Sequence, residues 1–186
     1  MENILITGGA GFIGSHLADR LLSEGCKVVV LDNLSRGRLS NLDTARQSPH
    51  FSFVEGDILD EGLLDKLFSE YGFDMVFHLA ANSDIASSHA NPDVDLDATF
   101  LTTYRILKAM MKHQVKKIMF ASTSAIYGQT GGAEVNENYG PLFPASHYGA
   151  GKLASEAFIA SFVENYGIKA WITRFPNVCG ERTTHG

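Results

Sequence analysis

Two tyrosines in this chain stand four positions ahead of a lysine: Tyr104 before Lys108, and Tyr148 before Lys152. On a helix, residues at that spacing share a face. The chemistry such a pair offers is proton transfer. A free phenol titrates near pH ~10. A cation ~4 Å away, at an effective dielectric of ~20, favours the phenolate by roughly 4 kcal/mol. That is about three pKa units, enough to reach neutrality before desolvation subtracts from it. Position separates the two pairs. Helices that follow parallel strands begin at the carboxyl edge of the sheet, where ligands bind. Tyr148 opens its helix and stays near that edge. Tyr104 lies 12 residues past Pro92, roughly 18 Å down its helix, and reads as an ordinary helix-face pair with Lys108. Tyr148 and Lys152 are therefore the expected acid–base residues.

A base of this kind serves hydride transfer at a carbinol, whose hydroxyl proton must be removed. The site for a hydride carrier is legible at the start of the chain. Ile4-Leu5-Ile6-Thr7 reads as a buried strand, and a glycine-dense turn follows at once. Phe12, Ile13, Leu17, Leu21 and Leu22 then form the apolar face of a helix. Gly9, Gly11 and Gly14 satisfy G-x-G-x-x-G in the strand–turn–helix context that motif requires. A turn this tight needs a positive φ or a missing Cβ. A missing side chain lets a pyrophosphate touch backbone, and the new helix's free N–H groups and dipole attract that anion. Gly8, Gly11, Phe12, Ile13 and Gly14 are thus expected to hold a dinucleotide. The alternative, a glycine-rich turn without a ligand, leaves the strand–turn–helix context unexplained.

Asp32 ends the next apolar strand, 18 residues after Gly14. A carboxylate there accepts hydrogen bonds from an adenosine ribose and repels a 2′-phosphate, which favours NAD over NADP. Arg36 and Arg38, just beyond, weaken that exclusion.

The frame that positions these groups follows from the remaining pattern. Further strands read as 51–56, 74–81, 116–122 and 169–175, and helices as 61–70, 92–113 and 148–166. Strands alternating with helices imply a doubly wound parallel sheet, an α/β Rossmann fold in three αβα layers. The fourth strand runs into Leu79-Ala80-Ala81, where small residues leave room for a cofactor lying across the strand ends. His78, inside that strand, reads as a satisfied core histidine. The Gly-, Asn- and Pro-rich loop 128–146 is long enough to be functional or mobile.

With 186 residues, 45% apolar and 19% charged, the chain is a single globular domain with a sizeable core. A net charge of −6 gives no attraction to nucleic acid or to a membrane surface. No apolar run reaches transmembrane length, and no signal peptide precedes the first strand. Cys26 and Cys179 make neither a disulfide framework nor a metal site. A cytoplasmic enzyme without a metal is expected.

These pieces together resemble the extended short-chain dehydrogenase/reductase family, and within it the NAD-dependent nucleotide-sugar 4-epimerases such as UDP-glucose 4-epimerase. The matching segments are Thr7 to Gly14, Asp32-Asn33-Leu34, Gly56-Asp57-Ile58, His78 to Ala81, Ser122 to Gly128, Tyr148-Gly149-Ala150-Gly151-Lys152 and Arg174 to Gly180, in family order. The resemblance implies that Asn33, Asp57 and Ile58 lie at the adenosine end, with Asp57 and Ile58 flanking the adenine. It implies that Thr123 fills the catalytic Ser/Thr position beside Tyr148, and that Lys152 also binds the nicotinamide ribose. Ser124 and Asn177 are implied to contact a sugar nucleotide, most readily a UDP-hexose. A homodimer through helices 92–113 and 148–166 is implied as well.

Ser124 and Ala125 narrow the reaction. Dehydratases of this family carry an Asp-Glu pair at these two places, and decarboxylases a Glu at the second. Neither residue here moves a proton as a carboxyl does, so epimerase or simple reductase chemistry remains. A non-catalytic NAD-binding module is the reading from outside the enzymes. Gly151 replaces the serine of Tyr-x-x-Ser-Lys, and Thr99-Phe100-Leu101-Thr102-Thr103 replaces Asn-x-x-Gly-Thr. Family members continue well past the sixth strand into a domain that builds most of the sugar-nucleotide pocket. Residues 1–186 are expected to be the NAD-binding domain with its catalytic residues, the C-terminal substrate domain being largely absent.

Overall fold

The computed structural model describes residues 1–82 and 90–183. Six strands form one sheet: β1 (Asn3–Thr7), β2 (Lys27–Asp32), β3 (Phe51–Glu55), β4 (Met75–His78), β5 (Lys117–Thr123) and β6 (Lys169–Phe175). Their order is β3-β2-β1-β4-β5-β6, and every pairing is parallel. The strand order reverses between β1 and β4, and ligands of such sheets bind in the crevice outside the carboxyl ends at that point.

Among the described residues the helices are α1 (Phe12–Ser23), α2 (Glu61–Tyr71), α3 and α4 (His147–Tyr166). Helix α3 is composite: an α-turn Asp93–Asp95, a π-helical stretch Leu96–Leu101 and an α-helix Thr102–Lys112. Local sequence sets the other helix ends. Asp60 accepts a hydrogen bond from the Leu63 amide at 3.0 Å, and Ser146 accepts one from the Gly149 amide at 3.0 Å. Such caps satisfy amides that a first turn leaves without partners.

Alternation along the central strands buries both faces of the sheet, as a parallel sheet covered by helices requires. Ile4, Ile6, Val28 and Val30 pack on one side with Ala18 of α1 and with Leu42 and Ala45. Leu5, Val29, Leu31, Val76, Ile118 and Phe120 pack on the other against α2, α3 and α4. Two short 3-10 turns, Leu39–Leu42 and Ala45–Gln47, fill the connection between β2 and β3. No described helix is long and apolar enough to cross a membrane.

His78 is fully buried between two hydroxyls, Thr7 Oγ1 at 2.7 Å from Nδ1 and Thr103 Oγ1 at 3.1 Å from Nε2. Thr103 donates its own proton to the Thr99 carbonyl. The imidazole therefore donates from Nε2, accepts at Nδ1 and stays neutral. Burial pushes its pKa down to about 3.

Candidate active site

The turn after β1 builds the floor of the site. Gly8 sits at φ +70°, and a Cβ there would come 2.7 Å from the Ala80 amide nitrogen. A Cβ on Gly14 would lie 2.5 Å from the Gly8 carbonyl oxygen, so α1 starts pressed against the turn. Gly11 is the N-cap of α1. It offers no side-chain cap, and no acidic residue lies in the first turn. The amides of Phe12, Ile13 and Gly14 therefore face the opening with a helix dipole behind them, an arrangement that fits a pyrophosphate. Gly9 points elsewhere: its missing Cβ makes room for the Val30 methyls.

Asp32, at the end of β2, is 8% exposed. Its Oδ2 accepts from the Ala10 amide at 2.9 Å and its Oδ1 from the Leu34 amide at 2.8 Å. Burial raises its pKa, and the two backbone hydrogen bonds oppose that shift. Each oxygen keeps a second lone pair for a ribose hydroxyl. Beside it, Asn33 Nδ2 donates to Asp57 Oδ2 at 3.2 Å, while the Leu59 amide donates to Asp57 Oδ1 at 2.8 Å. Ile58 completes this end.

The residues expected to be catalytic converge from β5 and α4. Thr123, the last residue of β5, accepts from the Ala125 amide at 3.1 Å, and its side chain interacts with the Tyr148 phenol. Lys152, one turn along α4, is buried, and its Nζ donates to the Ala121 carbonyl at 2.6 Å. The ammonium lies 4.6 Å from the Phe120 ring centroid and 5.9 Å from that of Tyr148.

One cleft of about 1220 Å³ runs across the carboxyl ends of the strands and joins these parts. Every site residue expected from the sequence lines it: Gly8, Gly11, Phe12, Ile13 and Gly14; Asp32 and Asn33; Asp57 and Ile58; Leu79, Ala80 and Ala81; Thr123 and Ser124; Tyr148 and Lys152; and Asn177. Tyr104 and Lys108 are absent from its walls. Lys108 instead pairs with Glu61 on the outer surface at 3.1 Å. The walls also include Asn82 and the opening of α3 at Val94, Ala98 and Thr102.

The expected titration of Tyr148 is corrected. Burial raises the phenol's pKa, the Thr123 side chain opposes the rise, and the Asp95 charge adds to it. Lys152 is itself driven down to about 7 by burial, against the pull of Asp95 and Glu156. The single-distance Coulomb argument, at an effective dielectric of ~20, left the desolvation of both groups still to be subtracted. The structure has a desolvated ammonium turned toward a backbone carbonyl, so the lysine alone does not ionise Tyr148.

The sequence reading also missed Asp95. It is 1% exposed, with Oδ1 accepting from Thr99 Oγ1 at 3.0 Å and from Asn82 Nδ2 at 3.3 Å. Its Oδ2 is buried without a hydrogen-bond partner among the described residues. An aspartate at a helix start ordinarily signals an exposed first turn, so only packing reveals it.

Among solved structures the chain is similar to a UDP-glucose 4-epimerase from Thermus thermophilus in complex with NAD, at 36% identity and a TM-score of 0.90, over 97% of this chain and 57% of that one. It is also similar to a dTDP-glucose 4,6-dehydratase from Streptomyces venezuelae with NAD bound, at 34% identity and a TM-score of 0.91, again over 97% and 57%. A UDP-glucose 4-epimerase of Halalkalibacterium halodurans is 40% identical over 177 residues, which are 95% of this chain and 51% of that protein. The chain thus spans little more than half the length of the relatives it matches. The family model that describes NAD-dependent epimerases and dehydratases matches residues 4–186, and with the glycine turn, Asp32 and the Thr123–Tyr148–Lys152 group on one cleft, the chain belongs to the NAD-dependent epimerase/dehydratase family.

Proposed function

We propose that the protein carrying this chain is an NAD-dependent 4-epimerase of a nucleotide sugar, with a UDP-hexose as substrate. The observation that carries the reading is that Thr123, Tyr148 and Lys152 share a cleft with the α1 N-terminus and Asp32, while Ser124 and Ala125 add no carboxyl beside them. The fit of the cleft to NAD rests on the uncapped first turn of α1 and on the two-oxygen ribose acceptor at Asp32. NAD, when bound, supplies a reversible hydride acceptor and a positive charge near the phenol.

In this reading Thr123 holds the sugar 4-hydroxyl by a hydrogen bond, and the Tyr148 oxygen takes its proton as C4 becomes a ketone. Tyr148 returns the proton after the ketone has turned its other face. Lys152, held by the Ala121 carbonyl, anchors the nicotinamide ribose. Asn177, on the loop after β6, contacts the sugar nucleotide. Residues 1–186 are read as the NAD-binding and catalytic domain. Val178, 44% exposed on the loop after β6, lines the cleft as apolar surface that a substrate domain would cover.

A homodimer through α3 and α4 is part of the proposal. Between these helices lies an outer groove of about 320 Å³ lined by Leu96, Phe100, Ala150 and Ala154. Leu96 and Phe158 are 50% and 40% exposed beside it, and light scattering of the purified protein tests for the dimer.

Incubation of the intact protein with UDP-glucose, followed by NMR, should show UDP-galactose forming without net NAD reduction. No exchange across UDP-, dTDP- and GDP-sugars removes the reading. Stoichiometric turnover of NAD(P)H would replace it with a reductase. Water loss from dTDP-glucose would align the protein with its dehydratase neighbour, despite Ser124 and Ala125.

A further inference from the structure

The chain leaves β6 at Phe175 and does not stay at that edge of the sheet. β6 lies three strands from β1 in the order β1-β4-β5-β6, roughly 14 Å at the ~4.8 Å spacing of neighbouring strands. By Gly180 the backbone is already against α1: a Cβ there would stand 3.0 Å from Phe12 Cζ. Five residues of chain reach at most ~18 Å, so the segment crosses the carboxyl edge with little slack. Residues 176–180 form no helix, strand or turn, and Pro176, Asn177, Val178 and Cys179 line the cleft that they cross.

Beyond the crossing, three successive residues meet one face of α1. Phe12, His16 and Asp19 share that face by their spacing of four and three. Gly180 seats on the Phe12 ring, the Glu181 carbonyl accepts from His16 Nε2 at 3.0 Å, and Arg182 Nη2 pairs with Asp19 Oδ2 at 2.8 Å. The Phe12 and His16 rings meet edge-on, 5.6 Å between centroids. Of residues 176–183, Arg182 alone is not exposed. Its φ of +66° is a conformation that surrounding contacts must hold.

We propose that residues 176–183 are a strap across the cofactor cleft, latched to α1 by Arg182 and Asp19, and that this latch sets how fast NAD enters and leaves. The strap fastens to the helix whose first amides face the pyrophosphate position, so it closes the cleft where the dinucleotide lies. The latch is also built to open. Asp19 Oδ1 and Arg182 Nη1 are buried without a hydrogen-bond partner among the described residues, and both regain water when the pair parts.

The inference rests on this cleft being the NAD site, and its test needs no turnover. NADH bound to the intact protein is chased with excess NAD, and its release is followed by nicotinamide fluorescence. Asp19→Ala and Arg182→Ala are each expected to speed release about fivefold. The double variant should release no faster than either single one, because both break the same latch. Gly180→Ala lifts the strap off Phe12, touches neither charge, and should speed release as well. The latch is made within the chain, so entry should quicken too, and NADH affinity should shift less than the release rate. A damaged binding site predicts instead that affinity falls as far as release rises. Release at the original rate in both single variants, effects that multiply in the double, or an affinity loss as large as the gain in release overturns the proposal. A protein that takes up no NADH overturns the cofactor reading along with it.

Discussion

Gly151 of α4 lies directly against Thr99 of α3: a Cβ on Gly151 would stand 3.1 Å from Thr99 Cγ2 and 3.3 Å from the Asp95 carbonyl oxygen. Two departures from the family pattern, glycine for serine and threonine for asparagine, therefore meet at one contact. Thr99 cannot easily withdraw, since it is fully buried with its hydroxyl bound to Asp95. Replacing Gly151 by Ala gains up to ~1 kcal/mol in helix propensity, and the contact opposes that gain. Gly151→Ala is expected to be neutral to destabilising alone. In a Thr99→Ser background it should be more favourable by about 0.5–1 kcal/mol. A urea-denaturation double-mutant cycle measures the coupling, and strict additivity would show that the contact carries no strain.

Tyr148→Phe removes the hydroxyl proposed to transfer the proton and leaves the ring in place. Turnover of the intact protein is expected to fall at least ~100-fold, with NAD affinity little changed because the α1 N-terminus and Asp32 are untouched. Parallel kinetics and calorimetric NAD titration separate the two effects. An equal loss in both would make Tyr148 a binding residue.

Much of this site could be read from residue types alone, because its signals are local. The Gly8 to Gly14 turn, Asp32 at a strand end and Tyr148 one turn before Lys152 depend on short spacings that the backbone converts directly into neighbours. The π-helical stretch 96–101 could not be read, because a single wider turn alters which residues face inward without altering the hydrophobic period. Asp95 was hidden because an aspartate at a helix start reads as an exposed first turn. The titration of Tyr148 was misjudged because desolvation depends on packing from α3 and β5, which a helix-face argument does not contain.

Asp32→Asn tests cofactor choice. The carboxylate orders the turn through Ala10 and Leu34 and keeps lone pairs for a ribose. An amide has one acceptor oxygen and so loses a charged hydrogen bond of about 1.5–3 kcal/mol. NAD binding is expected to weaken about tenfold or more. NADP binding should weaken less, since the repulsion of its 2′-phosphate goes as well. Isothermal titration with both cofactors checks this, and equal losses would remove Asp32 from the selectivity argument.

His78 sets an acid limit on stability. Its pKa is lowered in the folded chain from 6.5 to about 3 by burial, so the unfolded chain binds the extra proton between those values. Stability is complete above the unfolded pKa and falls as pH drops through that window, by up to ~1.4 kcal/mol per pH unit from this group. In His78→Gln the curve should lose one proton's worth of slope between pH ~6 and ~4, whatever the variant's stability at neutral pH. Denaturant midpoints across that range are the measurement, and an unchanged slope would place the acid sensitivity elsewhere.

Arg174 and Glu156 join the edge strand β6 to α4, and removing the two partners should not cost the same. Glu156 is 7% exposed. Its carboxylate takes Arg174 Nε and Nη2 at 3.1 and 2.8 Å, with Ser122 Oγ on the same group. Arg174→Leu leaves that carboxylate buried with one hydroxyl, a loss of about 3 kcal/mol. Arg174 Nη1 also donates to the Tyr127 hydroxyl at 3.1 Å and to the Glu137 carbonyl at 3.0 Å. The same substitution therefore releases part of the long loop between β5 and α4, and limited proteolysis should cut there faster. Glu156→Gln keeps an acceptor for Arg174 and retains the loop anchors, so it is expected to cost less and leave proteolysis unchanged. Adding Glu156→Leu to Arg174→Leu should recover stability, because no charge is then left buried. If the double variant is worse than Arg174→Leu alone, the pair acts through packing rather than charge, and its hold on the loop would have to come from Tyr127.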